Sequence, residues 1–173
     1  MSNKRLEGKK VFLTPISYDD CEDFVRWRNS DFIRERFIYR KTFTVEEQMN
    51  WIKDKVEPGF VVQFIIWDKA DNKKIGSVYL LNVNHESKDA EFGIMIGDEA
   101  YVGGGRGTES AKLIIEYGFK EVGLDRIMLR VLKDNAIARH TYEKIGFKPD
   151  NHEETIKIDD KDTEVVFMSI YNA

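Results

Sequence analysis

The stretch Asp89-Ala90-Glu91-Phe92-Gly93-Ile94-Met95-Ile96-Gly97, followed five residues later by Gly103-Gly104-Gly105-Arg106-Gly107-Thr108, decides how this chain is read. Alternation through the first segment predicts a strand with Phe92, Ile94 and Ile96 on one face and Glu91, Gly93 and Met95 on the other. Beyond the glycines, Ala111, Ile114, Ile115, Gly118 and Val122 recur at helical spacing, which predicts a helix over 108–122. A strand that runs into glycines and then opens a helix is the setting of an anion site. Glycine allows positive φ and close approach of backbone. The first N–H groups of the helix point outward, and its N-terminus carries partial positive charge. Arg106 could add a charged bond to a phosphate oxygen. The same residues also suit a plain tight turn with a helix cap at Thr108.

Two better-known phosphate fingerprints do not fit. A P-loop requires a Lys after its second glycine, and none follows here. The dinucleotide pattern G-x-G-x-x-G has Thr108 where its third Gly belongs, and no βαβ unit precedes it.

Outward from this segment, residues 60–67, 74–83 and 90–97 read as three consecutive strands joined by polar turns, an antiparallel meander. Upstream, residues 10–16 read as a strand, and Ser17 with Asp20 starts a helix running to about residue 29. Residues 31–39 are ambiguous, with a short helix as one reading. Thr44 and Glu47 form a capping box for a helix over 45–55, ended by Pro58-Gly59. Downstream, residues 126–132 form a strand, 135–145 a helix stopped by Gly146, and 147–158 with 163–171 a final pair of strands. The expected fold is α/β of the α+β kind. It is a single domain over 1–173 with a mixed, mostly antiparallel sheet of about seven strands flanked by about four helices.

Composition narrows the function classes. The 173 residues are 42% hydrophobic and 34% charged, which suits a soluble globular chain. With 27 basic and 31 acidic side chains the formal charge is −4, which argues mildly against gripping nucleic acid through its phosphates. One cysteine, Cys21, excludes an internal disulfide and a cysteine-built zinc site, and its thiol should be packed or half-exposed. His85, His140 and His152 match no ligand spacing, so no metal site is expected. The charged start of the chain lacks a signal-peptide pattern, and no apolar run approaches the ~20 residues of a membrane span. A cytoplasmic protein without membrane or nucleic-acid partners is the expectation.

The segment Tyr101-Val-Gly-Gly-Gly-Arg-Gly-Thr-Glu-Ser110 resembles the pyrophosphate loop of the GNAT superfamily of N-acetyltransferases. That signature runs Gln or Arg, two residues, Gly, one residue, then Gly or Ala. Gly105 and Gly107 match its small positions, and Val102 stands where Gln or Arg is usual. An aromatic or apolar residue there is frequent in the branch that acetylates ribosomal-protein N-termini, polyamines and nucleotide-linked amino sugars. A second match lies downstream: Asn135, Ala138, Tyr142, Lys144, Gly146 and Phe147 reproduce the family's N-x-x-A-x-x-x-Y-x-K-x-G-F stretch. The resemblance covers residues 74–149 well and the first third loosely.

This resemblance implies acetyl-coenzyme A as cofactor and direct transfer to a primary amine in a ternary complex. The acceptor would be a small molecule or peptide, and a homodimer is the assembly considered. It places the cofactor on Val102, Gly103, Gly104, Gly105, Arg106, Gly107, Thr108 and Asn135, with the backbone of Met95 and Ile96 along the pantetheine arm. Tyr142 would protonate the departing thiolate. It would also pack, because Gly146 and Phe147 suit a Schellman ending that folds Phe147 back on Tyr142. Glu91 sits in an A-E-apolar segment like that bearing the base of the histone-acetyltransferase branch, and is otherwise a strand carboxylate that pairs with an Arg. Trp27, Arg28 and Asn29, with the helix around Glu46 and Glu47, fall where the family shapes its acceptor groove. Arg28, Arg34 and Arg36 could meet a phosphorylated acceptor and Glu46 and Glu47 a polycation, or both sets are exposed helix faces. A non-catalytic acetyl-coenzyme A sensor with the same fold is the rival class.

Overall fold

Alternating apolar residues and Gly- or Asn-rich turns draw most of this chain into one eight-stranded sheet. A computed structural model describes residues 4–38 and 40–173. In chain order the elements are β1 (Leu6–Glu7), β2 (Val11–Pro15), α1 (Cys21–Asn29), α2 (Asp31–Arg34), α3 (Val45–Trp51), β3 (Val62–Asp68), β4 (Lys73–Asn84) and β5 (Asp89–Ile96). There follow α4 (Arg106–Tyr117), β6 (Arg126–Leu132), α5 (Ala136–Ile145), β7 (Lys148–Ile158) and β8 (Lys161–Tyr171). The sheet order is β1-β2-β3-β4-β5-β6-β8-β7. Every neighbouring pair is antiparallel except β5 with β6. The expected mixed, mostly antiparallel sheet and its β3-β4-β5 meander are present. The eighth strand is β1, two residues in a charged stretch with no period to read, paired through Leu6 and Leu13.

The fifth helix is α2, a single turn in the ambiguous 31–39 segment, capped by Ser30, whose Oγ accepts the Ile33 N–H at 3.3 Å. The far end of that segment, Tyr39, lies outside the described residues, as do Met1 to Asn3. Of the Thr44 and Glu47 capping box, one half forms: Thr44 Oγ1 accepts the Glu47 N–H at 3.1 Å. The Glu47 carboxylate pairs instead with Lys41 at 3.0 Å, a contact no local pattern announces. The Ser17 and Asp20 start does form, with the Asp20 carboxylate accepting the Ser17 N–H at 2.9 Å. The predicted helix over 108–122 begins at Arg106 and passes at Gly118 into a wider π turn.

Two cores lie on opposite faces of the sheet. On one, Leu13, Phe64, Ile66, Val78, Leu80 and Phe92 pack under α4 through Ala111, Ile114 and Ile115, and against Phe147 after α5. On the other, Ile16, Cys21, Phe24, Trp27, Ile52, Ile65 and Met95 join α1 and the segment after α3 to the sheet. Cys21 is fully buried. Gly118 lets α4 settle on the sheet, since a Cβ there would lie 3.0 Å from Leu80 Cδ1. No helix among the described residues is long and apolar enough to cross a membrane.

Candidate active site

The sheet opens where β5 leaves β6. Their parallel ladder holds only Asp89, Ala90 and Glu91 against Arg126, Ile127 and Met128. Beyond Glu91, β5 stays paired to β4 as far as Ile96, while β6 continues against β8 to Leu132. Among the described residues the other edge of β5 from Phe92 to Ile96 therefore has no strand beside it, and the sheet splays open there. An extended chain laid there can bond to that edge like an added strand. The two faces of β5 behave as alternation predicts. Phe92, Ile94 and Ile96 belong to the core under α4 and α5, and Met95 to the core under α1.

At the top of the cleft, Gly103, Gly104 and Gly105 take φ of +89, +67 and +84° in succession. Three consecutive left-handed residues are tolerable only for glycine. Gly105 is the N-cap of α4, so the first N–H groups from Arg106 to Thr108 have no carbonyl one turn earlier. Nothing lies within 4 Å of where a Gly103 Cβ would be, leaving room for a ligand above the turn. A Cβ on Gly107 would lie 3.8 Å from Ile94 Cδ1, an ordinary contact, and Val102 is 55% exposed. The backbone donors this turn leaves open are of the kind that bind a phosphate group.

The turn is anchored from below. Arg106 is not presented as an unshared phosphate ligand. Its Nε donates to Asp68 Oδ1 at 2.7 Å, and its guanidinium lies over the Tyr101 ring. Arg106 holds the buried Asp68 carboxyl below the usual carboxylate range. The Lys10 ammonium donates to the Gly104 carbonyl. Glu109, in the first turn of α4, accepts the backbone N–H groups of Lys9, Lys10 and Val11 at 2.7, 2.8 and 2.8 Å. Burial opposes the charge on Glu109, yet these three donors outweigh it and lower its pKa.

Across the cleft, α5 is capped by Asn135, whose Oδ1 accepts the Ala138 N–H at 3.2 Å. Its end is the predicted Schellman motif. Phe147 N–H donates to the Tyr142 carbonyl at 3.0 Å and Gly146 N–H to the Glu143 carbonyl at 3.1 Å, with Gly146 at φ +125°. Tyr142 meets Phe92 and Phe147 edge-on, both with ring centroids 6.0 Å away. Burial pushes its hydroxyl up to about 12. At neutral pH it is a phenol, a proton donor and not a phenolate.

Glu91, at the point where the ladder ends, pairs with Arg130 of β6 at 3.1 Å. On the same face Tyr79 of β4 stands opposite Gly93, and a Cβ on Gly93 would come within 2.2 Å of its Cε2. Gly93 is thus the seat of the Tyr79 ring. Burial first of all pushes the Tyr79 hydroxyl up to about 12; Arg28 opposes this, and Tyr142 and Glu91 add to it.

The α1 candidates divide. Trp27 is buried in the core, against Gly97, where a Cβ would lie 2.1 Å from the indole Cγ. Its ring is packing and offers no open surface. Asn29 ties down the following loop, donating to the Phe43 carbonyl at 2.8 Å and accepting its N–H at 2.7 Å. Arg28, 8% exposed, lies over the rings of Phe37 and Phe43 at 4.4 and 4.6 Å. Glu46 is exposed, and Glu47 is engaged by Lys41.

Tyr79, Arg130 and the anchors Asp68, Glu109 and Lys10 are the residues that sequence reasoning passes over. Each meets its partner across a sheet register or a long loop. The one available signal was Tyr79, an aromatic on the same alternating face as the Ser77 and Leu81 that flank it.

Comparison with known proteins gives the lineage. The chain is 42% identical over 96 residues to the spermidine N(1)-acetyltransferase of Escherichia coli (strain K12), a match covering 56% of this chain and 48% of that one. The chain thus spans about half the length of that relative. It is 29% identical over 149 residues to the probable N-acetyltransferase YjcK of Bacillus subtilis (strain 168), covering 82% of each. Its fold matches the crystal structure of a Vibrio cholerae spermidine N-acetyltransferase in complex with CoA and spermine, with a TM-score of 0.86, 24% identity, and coverage of 95% and 96% of the two chains. The model of the acetyltransferase (GNAT) domain matches residues 10–148, and the chain belongs to that family.

Proposed function

We propose that this protein transfers an acetyl group from acetyl-coenzyme A to a primary amine, directly and within a ternary complex. Three features support the reading: the Gly103–Gly105 turn, the edge of β5 that β6 leaves, and the buried phenol of Tyr142, which packs on Phe92 of β5. Acetyl-coenzyme A supplies an activated acyl thioester. The turn and the α4 N-terminus hold its diphosphate. The free edge of β5 around Met95 and Ile96 aligns the pantetheine arm and aims an N–H at the thioester oxygen, where negative charge develops. Tyr142 donates its proton to the sulfur as the thiolate departs. The acceptor arrives as an ammonium and loses a proton to Glu91 or to a water held there; Arg130 orients the Glu91 carboxylate.

Release of coenzyme A is the assay, run over spermidine, amino sugars, amino acids and peptide N-termini. Turnover on any of these supports the reading, and tight acetyl-coenzyme A binding without release on any supports a sensor instead. Tyr142→Phe should lower kcat by about a hundredfold, the scale of one general acid, with cofactor affinity within about twofold. Undiminished kcat removes Tyr142 from that role. Glu91→Gln should shift the acidic limb of the pH–rate profile, and an unshifted limb assigns the base to water.

A further inference from the structure

We propose that a cavity beside the glycine turn, walled by Lys9, Lys10 and Lys69, receives a phosphate monoester, and that this group is the 3′-phosphate of coenzyme A. This deepens the acetyl-transfer reading and rests on it. The cavity measures about 450 Å³, and Asp68, Gly104 and Arg106 share its lining. Four cations thus face one carboxylate, in a chain whose formal charge is −4. Arg106 is matched by Asp68 at 2.7 Å and Lys69 by Glu7 at 2.9 Å. Neither Lys9 nor Lys10 has an ion-pair partner among the described residues. Even with Glu7 and Glu109 counted beside Asp68, the cations around the cavity outnumber the carboxylates.

Contacts tie this cavity to the cofactor turn. The Lys10 ammonium donates to the Gly104 carbonyl and lies 3.1 Å from where a Cβ on Gly105 would stand. Arg106 Nη1 lies 3.1 Å from the same point on Gly104. The backbone under the lysines is fixed as well. Both oxygens of Glu109, in the first turn of α4, are occupied by the N–H groups of Lys9, Lys10 and Val11, at 2.7, 2.8 and 2.8 Å. Lys69 N–H donates to the Lys10 carbonyl at 2.9 Å, and Lys69 Nζ to the Gly8 carbonyl at 2.8 Å. The helix end that offers N–H groups to a diphosphate therefore also sets where these lysine side chains begin. Less ordering is left for a ligand to impose.

The chemistry of the cofactor supplies the matching anion. Coenzyme A bears its diphosphate on the 5′ carbon of a ribose and a phosphate monoester on the 3′ carbon of the same ring. A diphosphate on the turn leaves the monoester one sugar away, beside a cationic cavity. A monoester carries close to two charges at neutral pH and three acceptor oxygens. An ammonium binds phosphate as a point charge and needs no planar fork, so lysines on flexible stems suit it. The acceptor amine, itself a cation, is repelled from the same place.

The test is calorimetric binding of coenzyme A and of 3′-dephospho-coenzyme A, which differ by the monoester alone. The dephospho form should bind about tenfold more weakly to the wild type at low salt. The ratio of the two Kd values should shrink as salt rises, because the lysines are exposed. Lys9→Gln should bring that ratio to within about threefold and leave Kd for the dephospho form within about twofold of wild type. Lys10→Gln also frees the Gly104 carbonyl, so it should weaken both ligands while narrowing the ratio, and it serves if Lys9→Gln does not fold. Equal Kd values in the wild type, or a ratio that neither variant narrows, overturn this inference and leave acetyl transfer standing. Failure of the wild type to bind either ligand overturns the acetyl-transfer reading and this inference with it.

Discussion

Replacing Glu109 with Gln tests how the cofactor turn is held. The Glu109 carboxylate receives two N–H groups on Oε2, from Lys10 and Val11, and one on Oε1, from Lys9. Hydrogen bonds to a charged partner contribute roughly 1.5–3 kcal/mol each, and neutral ones about 1 kcal/mol. A Gln side chain can turn its oxygen to Lys10 and Val11, but its NH₂ then opposes the Lys9 N–H. That exposed N–H returns to water, so its loss costs little beyond the bond itself. Two weakened bonds and one lost bond sum to about 2.5 kcal/mol at the low end of these ranges. In a domain of this size that is a fall in Tm of about 5–10 °C.

The pH dependence carries the sign. The pKa of Glu109 is lowered in the folded state. Its contribution is present above the unfolded value of about 4.3 and is lost as pH falls through the folded one. The stability gap between wild type and E109Q, read by urea denaturation, should hold steady from about pH 7 to 5 and close below about pH 4. Acetyl-coenzyme A should also bind severalfold more weakly, because the same carboxylate ties α4 to the start of β2. A gap under about 0.5 kcal/mol, or one that widens on acidification, refutes the reasoning.

Two further outcomes follow from single side chains. Gln48 is buried, and its Nε2 finds no acceptor among the described residues. A buried amide donor without a partner costs about 1–3 kcal/mol, so Gln48→Met should raise stability by about 1 kcal/mol, and a loss of that size would mean the amide is bonded in solution. Asn135 combines a cap with an expected cofactor contact. Asn135→Ser should keep stability within about 0.5 kcal/mol, since Ser caps as well, while calorimetry records weaker binding of coenzyme A. Unchanged affinity leaves Asn135 as a cap alone.

Much of this architecture is visible in short-range pattern. The Phe92-Ile94-Ile96 alternation, the Ala111-Ile114-Ile115 stripe and the Gly146-Phe147 ending each involve residues within a few positions of one another, and each appears as read. Sequence legibility ends where partners are distant. Arg106 reads as a phosphate ligand until Asp68, thirty-eight positions away, takes its Nε. Trp27 and Asn29 are expected as acceptor contacts from sequence; the structure packs Trp27 against Gly97 and bonds Asn29 to the Phe43 backbone. Val102, the departure from the usual cofactor signature, is an exposed residue.

By itself the sequence determined the sheet, its helices, the glycine cradle and the candidate phenol, because strand period, helix period and positive φ are properties of neighbouring residues. Only the tertiary structure decided that β5 parts from β6 after Glu91, that Arg130 meets Glu91, and that the Tyr79 ring is seated over Gly93. Those facts depend on strand register and on which face each helix covers. They are settled by burial of two cores at once, and no window of sequence contains both.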